Sequence, residues 1–231
     1  MLGPDSVTPT VSTHRRVVLA ALLACQTALS AQARPDAQAF AGALQRRYQG
    51  VRDFSGEFVH AYRGGVLRTQ TQERGTVSIK KPGLMRWVYT SPERKEFVSD
   101  GRKVYAYIPQ DRQVVVTDVP PDDQGSTPAL FLAGKGDISR DFVASYVEAG
   151  LAGTVALKLV PRRREPDYQH FVVTVDASSL QLRALSTLDR QGGESTLTFA
   201  KLKENTGISD KEFTFRIPRG VDVLTDDGTA N

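Results

Sequence analysis

Apolar residues recur at a helical spacing once near the start of the chain and at an alternating spacing almost everywhere after it. Ala37, Phe40, Ala41, Leu44 and Tyr48 fall on one face of a 3.6-residue period, with Pro35 and Asp36 ahead as start signals and Gly50 behind as a stop. That predicts an amphipathic helix, whose polar side carries Gln45, Arg46 and Arg47. From Val51 onward, short alternating runs are separated by turn residues. Phe54, Phe58 and Tyr62 share one strand parity; Val77 and Ile79 precede Lys81-Pro82-Gly83; Met85, Trp87 and Tyr89 alternate with Leu84, Arg86 and Val88. Val98 leads into Asp100-Gly101, a two-residue hairpin signal, and Tyr105 and Tyr107 follow on the return. Val114 to Val116 continue the meander, followed by Phe171, Val173 and Val175, then Leu182 to Leu188, Leu197 and Phe199, and finally Phe213, Phe215 and Ile217. About ten strands on short turns predict antiparallel pairing, because parallel strands need long crossovers.

The meander is interrupted between Asp122 and Phe142. Thr127 is a good N-cap and Pro128 suits a first helical position. Ala129, Leu130, Phe131, Leu132 and Ala133 then form a short helix that Gly134 ends, with a second helical turn at Ile138 to Phe142. A helix apolar on every side must be covered all round, so it is either a core plug or a lid over a cavity.

The first 33 residues read as an export signal. His14, Arg15 and Arg16 precede the apolar run Val17 to Ala24, and Ser30-Ala31-Gln32-Ala33 supplies a small-x-small cleavage pattern. The run is shorter than the roughly 20 residues of a membrane span. The expected organisation is a signal peptide over 1–33 and a single domain over 34–231. Cys25, the only cysteine, offers an alternative: Leu22-Leu23-Ala24-Cys25 loosely resembles a lipoprotein cleavage site, which would anchor the chain through a lipidated cysteine. With cleavage after Ala33, the mature chain has no thiol and no disulfide.

Composition adds little to this picture. Of 231 residues, 40% are hydrophobic and 24% charged, with a net charge of +4, as expected of an ordinary folded domain with a proper core. His60 and His170 lie in strand patterns with no second ligand at metal spacing. There is no G-x-S-x-G elbow and no glycine-rich phosphate loop. Asp100, Asp111 and Asp176 sit where turn chemistry explains them. The expectation is therefore a protein that is not an enzyme, with no catalytic residue, metal or cofactor. Arg162-Arg163-Arg164 is bracketed by Pro161 and Pro166 and diluted by Glu165 and Asp167, which fits a solvated loop; nucleic acid is not an expected partner.

Five segments, in order, carry a family resemblance. They are Phe54-Ser55-Gly56-Glu57-Phe58, Gly75 through Tyr89 (GTVSIKKPGLMRWVY), Val98 through Tyr107 (VSDGRKVYAY), Ser126 through Leu132 (STPALFL) and Phe213 through Val221 (FTFRIPRGV). Together they resemble the outer-membrane lipoprotein carrier family, LolA. The resemblance implies a mainly β fold: an unclosed antiparallel barrel with an N-terminal helix and a short helical lid over an apolar cavity. It also implies a periplasmic, monomeric chaperone that binds the acyl chains of lipoproteins. The cargo would come from an inner-membrane lipoprotein-releasing ABC transporter and go to an outer-membrane acceptor. On that reading Phe54, Phe58, Met85, Trp87, Tyr89, Leu130, Phe131 and Leu132 line the cavity or its lid, although each could equally fill a packed core. The family's best-known members have an arginine before the proline of the Lys-x-Pro segment, which latches the lid; here the position is Lys81, a flexible cation without the planar fork. An outer-membrane-anchored receptor through Cys25, a carrier of another amphiphile and an envelope sensor are the alternatives. Intact mass of the protein from its native host separates the first two addresses: a chain starting at Arg34 supports the exported carrier, and a diacylated Cys25 refutes it.

Overall fold

Asp36 caps the first helix as the sequence predicts: its Oδ2 accepts from the backbone N–H groups of Gln38 (3.0 Å) and Ala39 (3.2 Å). The computed structural model describes residues 3, 35–64, 69–119, 132–134 and 136–225. By internal contacts the chain divides into Met1–Arg34 and Pro35–Asn231, and the elements below all belong to the second unit. They are α1 (Ala37–Gln49), β1 (Asp53–Arg63), β2 (Gln70–Lys80), β3 (Leu84–Ser91), β4 (Lys95–Asp100), β5 (Lys103–Ile108), β6 (Gln113–Asp118), α2 (Ile138–Asp141), β7 (Phe142–Val147), β8 (Thr154–Pro161), β9 (Tyr168–Asp176), β10 (Leu182–Asp189), β11 (Glu194–Glu204) and β12 (Asp222–Thr225).

The strands form one 12-stranded sheet in the order β12-β6-β5-β4-β3-β2-β1-β11-β10-β9-β8-β7. Its two ends do not meet, so the expected unclosed, mainly β architecture is found. Pairing is antiparallel except for β12, which runs parallel to β6. The predicted Asp100-Gly101 hairpin joins β4 to β5, with Asp100 Oδ1 accepting from the N–H groups of Arg102 and Lys103.

Alternation decides which side chains meet. Across the sheet, Phe58 is opposite Gly75 and Phe199, Gly75 is opposite Tyr89, and Trp87 is opposite Val77 and Phe97. On the other half, Leu197, Leu185, Val173, Leu157 and Tyr146 follow one another strand by strand. These residues share the inner face, and α1 lies on it through Ala41 and Leu44 within one buried cluster.

Three sequence expectations need correction. Strands β7 and β8 were not anticipated. Phe213, Phe215 and Ile217 do not form a strand: Asp210–Phe213 is a 3₁₀ turn followed by an extended segment. Arg86 holds that segment by donating to the carbonyls of Glu212 (2.5 Å) and Thr214 (2.9 Å), positions a ladder partner would otherwise occupy. Phe213 and Val98 are thereby buried on the outer face, and Phe215 stacks on Tyr105 with centroids 5.3 Å apart. The last strand is instead β12. Most of the apolar segment Thr127 to Ala133, including Leu130 and Phe131, lies outside the described residues.

Gly75 sits where two strands and an aromatic ring crowd together: a Cβ there would run into the Val88 carbonyl oxygen and lie 2.8 Å from the Phe58 ring. Gly75→Ala should cost about 1–3 kcal/mol by overpacking. The expected result is a lower urea midpoint with an unchanged slope.

Candidate functional site

Six of the eight cavity-lining residues proposed from sequence are described, and all six are buried on the inner face or directly against it: Phe54, Phe58, Met85, Trp87, Tyr89 and Leu132. The order of apolar residues along β1, β2 and β3 brings their rings together. Phe58 meets Trp87 edge-on at 5.1 Å and Tyr89 at 4.8 Å, and Trp87 lies 6.2 Å from Phe199, separations typical of favourable aromatic pairs. The second half of the face, built from Phe142, Leu157, Phe171, Val173, Leu185 and Phe199, was not among the candidates. Its signal was present in the alternation of Phe171, Val173 and Val175, but nothing local says that this run faces the same space as Phe58.

Among the described residues the face is covered: Leu44 and Tyr48 of α1, Leu132, and Val173, Val175, Leu180 and Leu182 leave between them a gap of about 250 Å³, part of it open to solvent. Apolar side chains of α1 and of Leu132 and Ala133 fill what would otherwise be a trough.

Polar ties hold this cover at its margins. Tyr48 Oη donates to the Leu132 carbonyl (2.8 Å), and Gly83 N–H donates to the Ala133 carbonyl (2.9 Å). Ser99 Oγ in turn donates to the Gly83 carbonyl (2.8 Å). At the far end of α1, the Gln38 amide donates to the Ser139 and Phe142 carbonyls and accepts from the Ala144 N–H. Gln45 Oε1 accepts from the Ile138 N–H. Arg47 pairs with Glu204 at 2.5 Å.

Lys81 sits among these ties. Its ammonium donates to the Tyr48 carbonyl (2.5 Å) and lies 3.3 Å from the centroid of the Tyr48 ring. Its stem packs on Gly134 so closely that a Cβ there would be 2.9 Å from Cγ and Cδ. Lys81 is therefore wedged between the end of α1 and the 132–134 turn, and its hydrogen bond is to the helix. Burial pulls its pKa down to about 8, with Glu204 opposing and Arg47 assisting.

Residues 49–216 match the family described as outer membrane lipoprotein carrier protein LolA. The chain belongs to the LolA family. Among its LolA relatives, the outer-membrane lipoprotein carrier protein of Pseudomonas aeruginosa (strain PAO1) is 32% identical over 160 residues, 68% of this chain and 74% of that one. The carrier of Cupriavidus taiwanensis is 28% identical over 216 residues, covering 91% of this chain and 99% of the relative. A solved structure of an uncharacterized conserved protein from Thermus thermophilus shares the fold: it is 15% identical with a TM-score of 0.50, over 80% of this chain and 99% of that one. The family is one of carriers, in keeping with a site whose floor is hydrocarbon.

Within this LolA chain, Lys81 should leave a pH signature. Unfolded, the amine titrates at 10.5; folded, at about 8. Between those values the unfolded chain holds a proton that the folded chain has released, so stability rises with pH through that window. The thermal midpoint of the wild type, measured from pH 7.5 to 10, should gain on that of Lys81→Met as pH rises. A constant difference would show that the amine is not buried in the closed state.

Proposed function

We propose that this LolA-family chain is a periplasmic, non-enzymatic carrier that shelters the acyl chains of lipoproteins between the inner face of its sheet and the cover formed by α1 and the 132–134 turn. The observation that carries this reading is the nature of the cover: an apolar lining buried by apolar groups that are tied down only at their edges. Residues 1–33 act as the export signal. Cargo is received from an inner-membrane lipoprotein-releasing ABC transporter and passed to an outer-membrane acceptor, with the protein working as a monomer.

The physical requirement is severe. Stripping one acyl chain of roughly 16 carbons from a membrane into water costs about 12 kcal/mol, at about 0.8 kcal/mol per methylene. A carrier must offer hydrocarbon of its own and still be soluble without cargo. Phe54, Phe58, Met85, Trp87 and Tyr89 would supply the wall, with Leu130, Phe131 and Leu132 on the lid. Opening exchanges one apolar partner for another, so the hydrophobic term nearly cancels. What remains is a handful of hydrogen bonds, each contributing about 0.5–1.5 kcal/mol net. Lys81, Tyr48 and Gly83 form the latch and set that cost. No nucleotide is needed in this chain; the partner that loads it supplies the energy, and release is a handoff to a tighter binder. Met85 would adapt to flexible chains of varied shape.

Native mass spectrometry of the protein purified from its own periplasm should reveal co-purifying triacylated species. Replacing Leu130 and Phe131 together with aspartate should reduce their recovery at least tenfold while leaving the thermal midpoint within a few degrees. Undiminished recovery of lipoprotein with the double variant would refute the lid role.

A further inference from the structure

The inner face is not apolar along its whole length. In the Phe58 row and one step beyond it the face carries a polar band: Lys95 of β4 and Tyr89 of β3 face each other in the row itself, Glu73 of β2 lies opposite His60 of β1 one step on, and Ser195 of β11 completes the group. His60 Nε2 is 2.8 Å from Ser195 Oγ, and its Nδ1 is 3.4 Å from both Glu73 Oε2 and Tyr89 Oη. Lys95 Nζ pairs with the other Glu73 oxygen, Oε1. The side chains of Glu73, His60 and Lys95 are 15%, 22% and 25% exposed, half-sheltered where the apolar wall ends.

We propose that this band receives the uncharged polar end of an acylated ligand, its ester or amide carbonyl groups, and thereby fixes the direction in which acyl chains lie along the inner face. The inference rests on the carrier reading and adds to it an orientation and a chemical class.

Three features carry it. The first is charge. The single ion pair Lys95–Glu73 is internally balanced, and burial lowers the pKa of His60 and favours its neutral form. A free carboxylate or phosphate brought here would meet Glu73 with, among the described residues of the band, no unbalanced cation to offset it. A carbonyl dipole would meet no such penalty. The second is spare donors. A neutral imidazole carries one ring proton. With Glu73 beside Nδ1, that proton belongs on Nδ1, and Ser195 donates to Nε2. The Tyr89 hydroxyl then has no acceptor in the ring, and burial raises its pKa to about 12, keeping it a donor. Lys95 spends one N–H on Glu73 and retains two. The third is distance. From Phe54, beside the latch end, to His60 is six residues of β1, about 20 Å of strand, comparable to an extended palmitoyl chain. A carbonyl at the band would place the terminal methyl group near Met85 and the latch.

The test uses monopalmitoylglycerol and palmitate, which share a chain and differ in the charge of the head, titrated against the emission of Trp87, the only tryptophan. The wild type should prefer the neutral ester. Glu73→Gln leaves Lys95 unbalanced and should shift the ratio toward palmitate by about tenfold, and Lys95→Met should shift it the other way. A purely structural role would weaken both ligands alike. Glyceryl esters of 5-doxyl- and 16-doxyl-stearate then report direction by NMR: the first should broaden the amides of His60 and Leu197, the second those of Lys81, Gly83 and Met85. Ratios that do not respond to either variant, or a reversed broadening pattern, would overturn the orientation and leave the carrier reading intact. If neither lipid binds the wild type, both fall.

Discussion

A sheet with one face made of phenylalanine, tryptophan, leucine and valine must cover that face or precipitate, and almost everything else in this molecule follows from how the covering is done. Each large side chain removed from water contributes about 1.5–3 kcal/mol, so the inner face is the main source of stability. Closing the sheet on itself would bury that face permanently. Here β7 and β12 do not meet, and the cover is instead a separate helix and a turn seated on the opening. On the proposed carrier reading, the stabilising contact and the exchangeable contact are the same surface. That is why, among the described residues, apolar side chains of α1 and of Leu132 and Ala133 lie against the inner face, and why the polar ties sit at the rim.

The outer face is organised on a different principle. The segment after β11 buries Phe213 and stacks Phe215 on Tyr105, anchored by the guanidinium of Arg86 and the Arg86–Glu96 ion pair. Nothing in that arrangement faces the inner side, so the two sides of β3 and β4 are covered independently. Alternate residues on one strand therefore take on unrelated roles: Arg86 pins the C-terminal segment, while its neighbours Met85 and Trp87 belong to the trough.

Local chemistry was legible in the sequence wherever its cause was local. The α1 boundaries follow from Asp36 and Gly50, and the β4–β5 turn from Asp100-Gly101, because caps and tight turns are decided within a few residues. The aromatic wall on β1 and β3 was readable as strict alternation. What escaped depends on partners far away in the chain. Phe213 and Phe215 alternate like a strand, yet Arg86, 128 residues before Thr214, takes the carbonyls a strand would need. The parallel β12 is four residues long and follows β11 at a distance no turn signal marks. His60 looked like an isolated strand histidine, because Ser195 lies 135 residues later and Glu73 and Lys95 come from two further strands. Sheet register, which brings these together, is a property of the whole meander. The sequence offered Lys81 only as a cation ahead of Pro82; that its ammonium donates to the Tyr48 carbonyl on α1 and its stem packs on Gly134 depends on partners at a distance and was not foreseeable.

The seat of α1 has one more effect. By meeting the Phe142 carbonyl and the Ala144 N–H with its side-chain amide, Gln38 does for the start of β7 what a thirteenth strand would do: it takes up two backbone groups on the edge of the sheet. Such edges invite pairing with other chains when bare. Lifting the helix would therefore unmask a hydrogen-bonding template along with the hydrocarbon floor. On the carrier reading, a molecule caught open would be doubly adhesive, which favours keeping the interval between uncovering and refilling short.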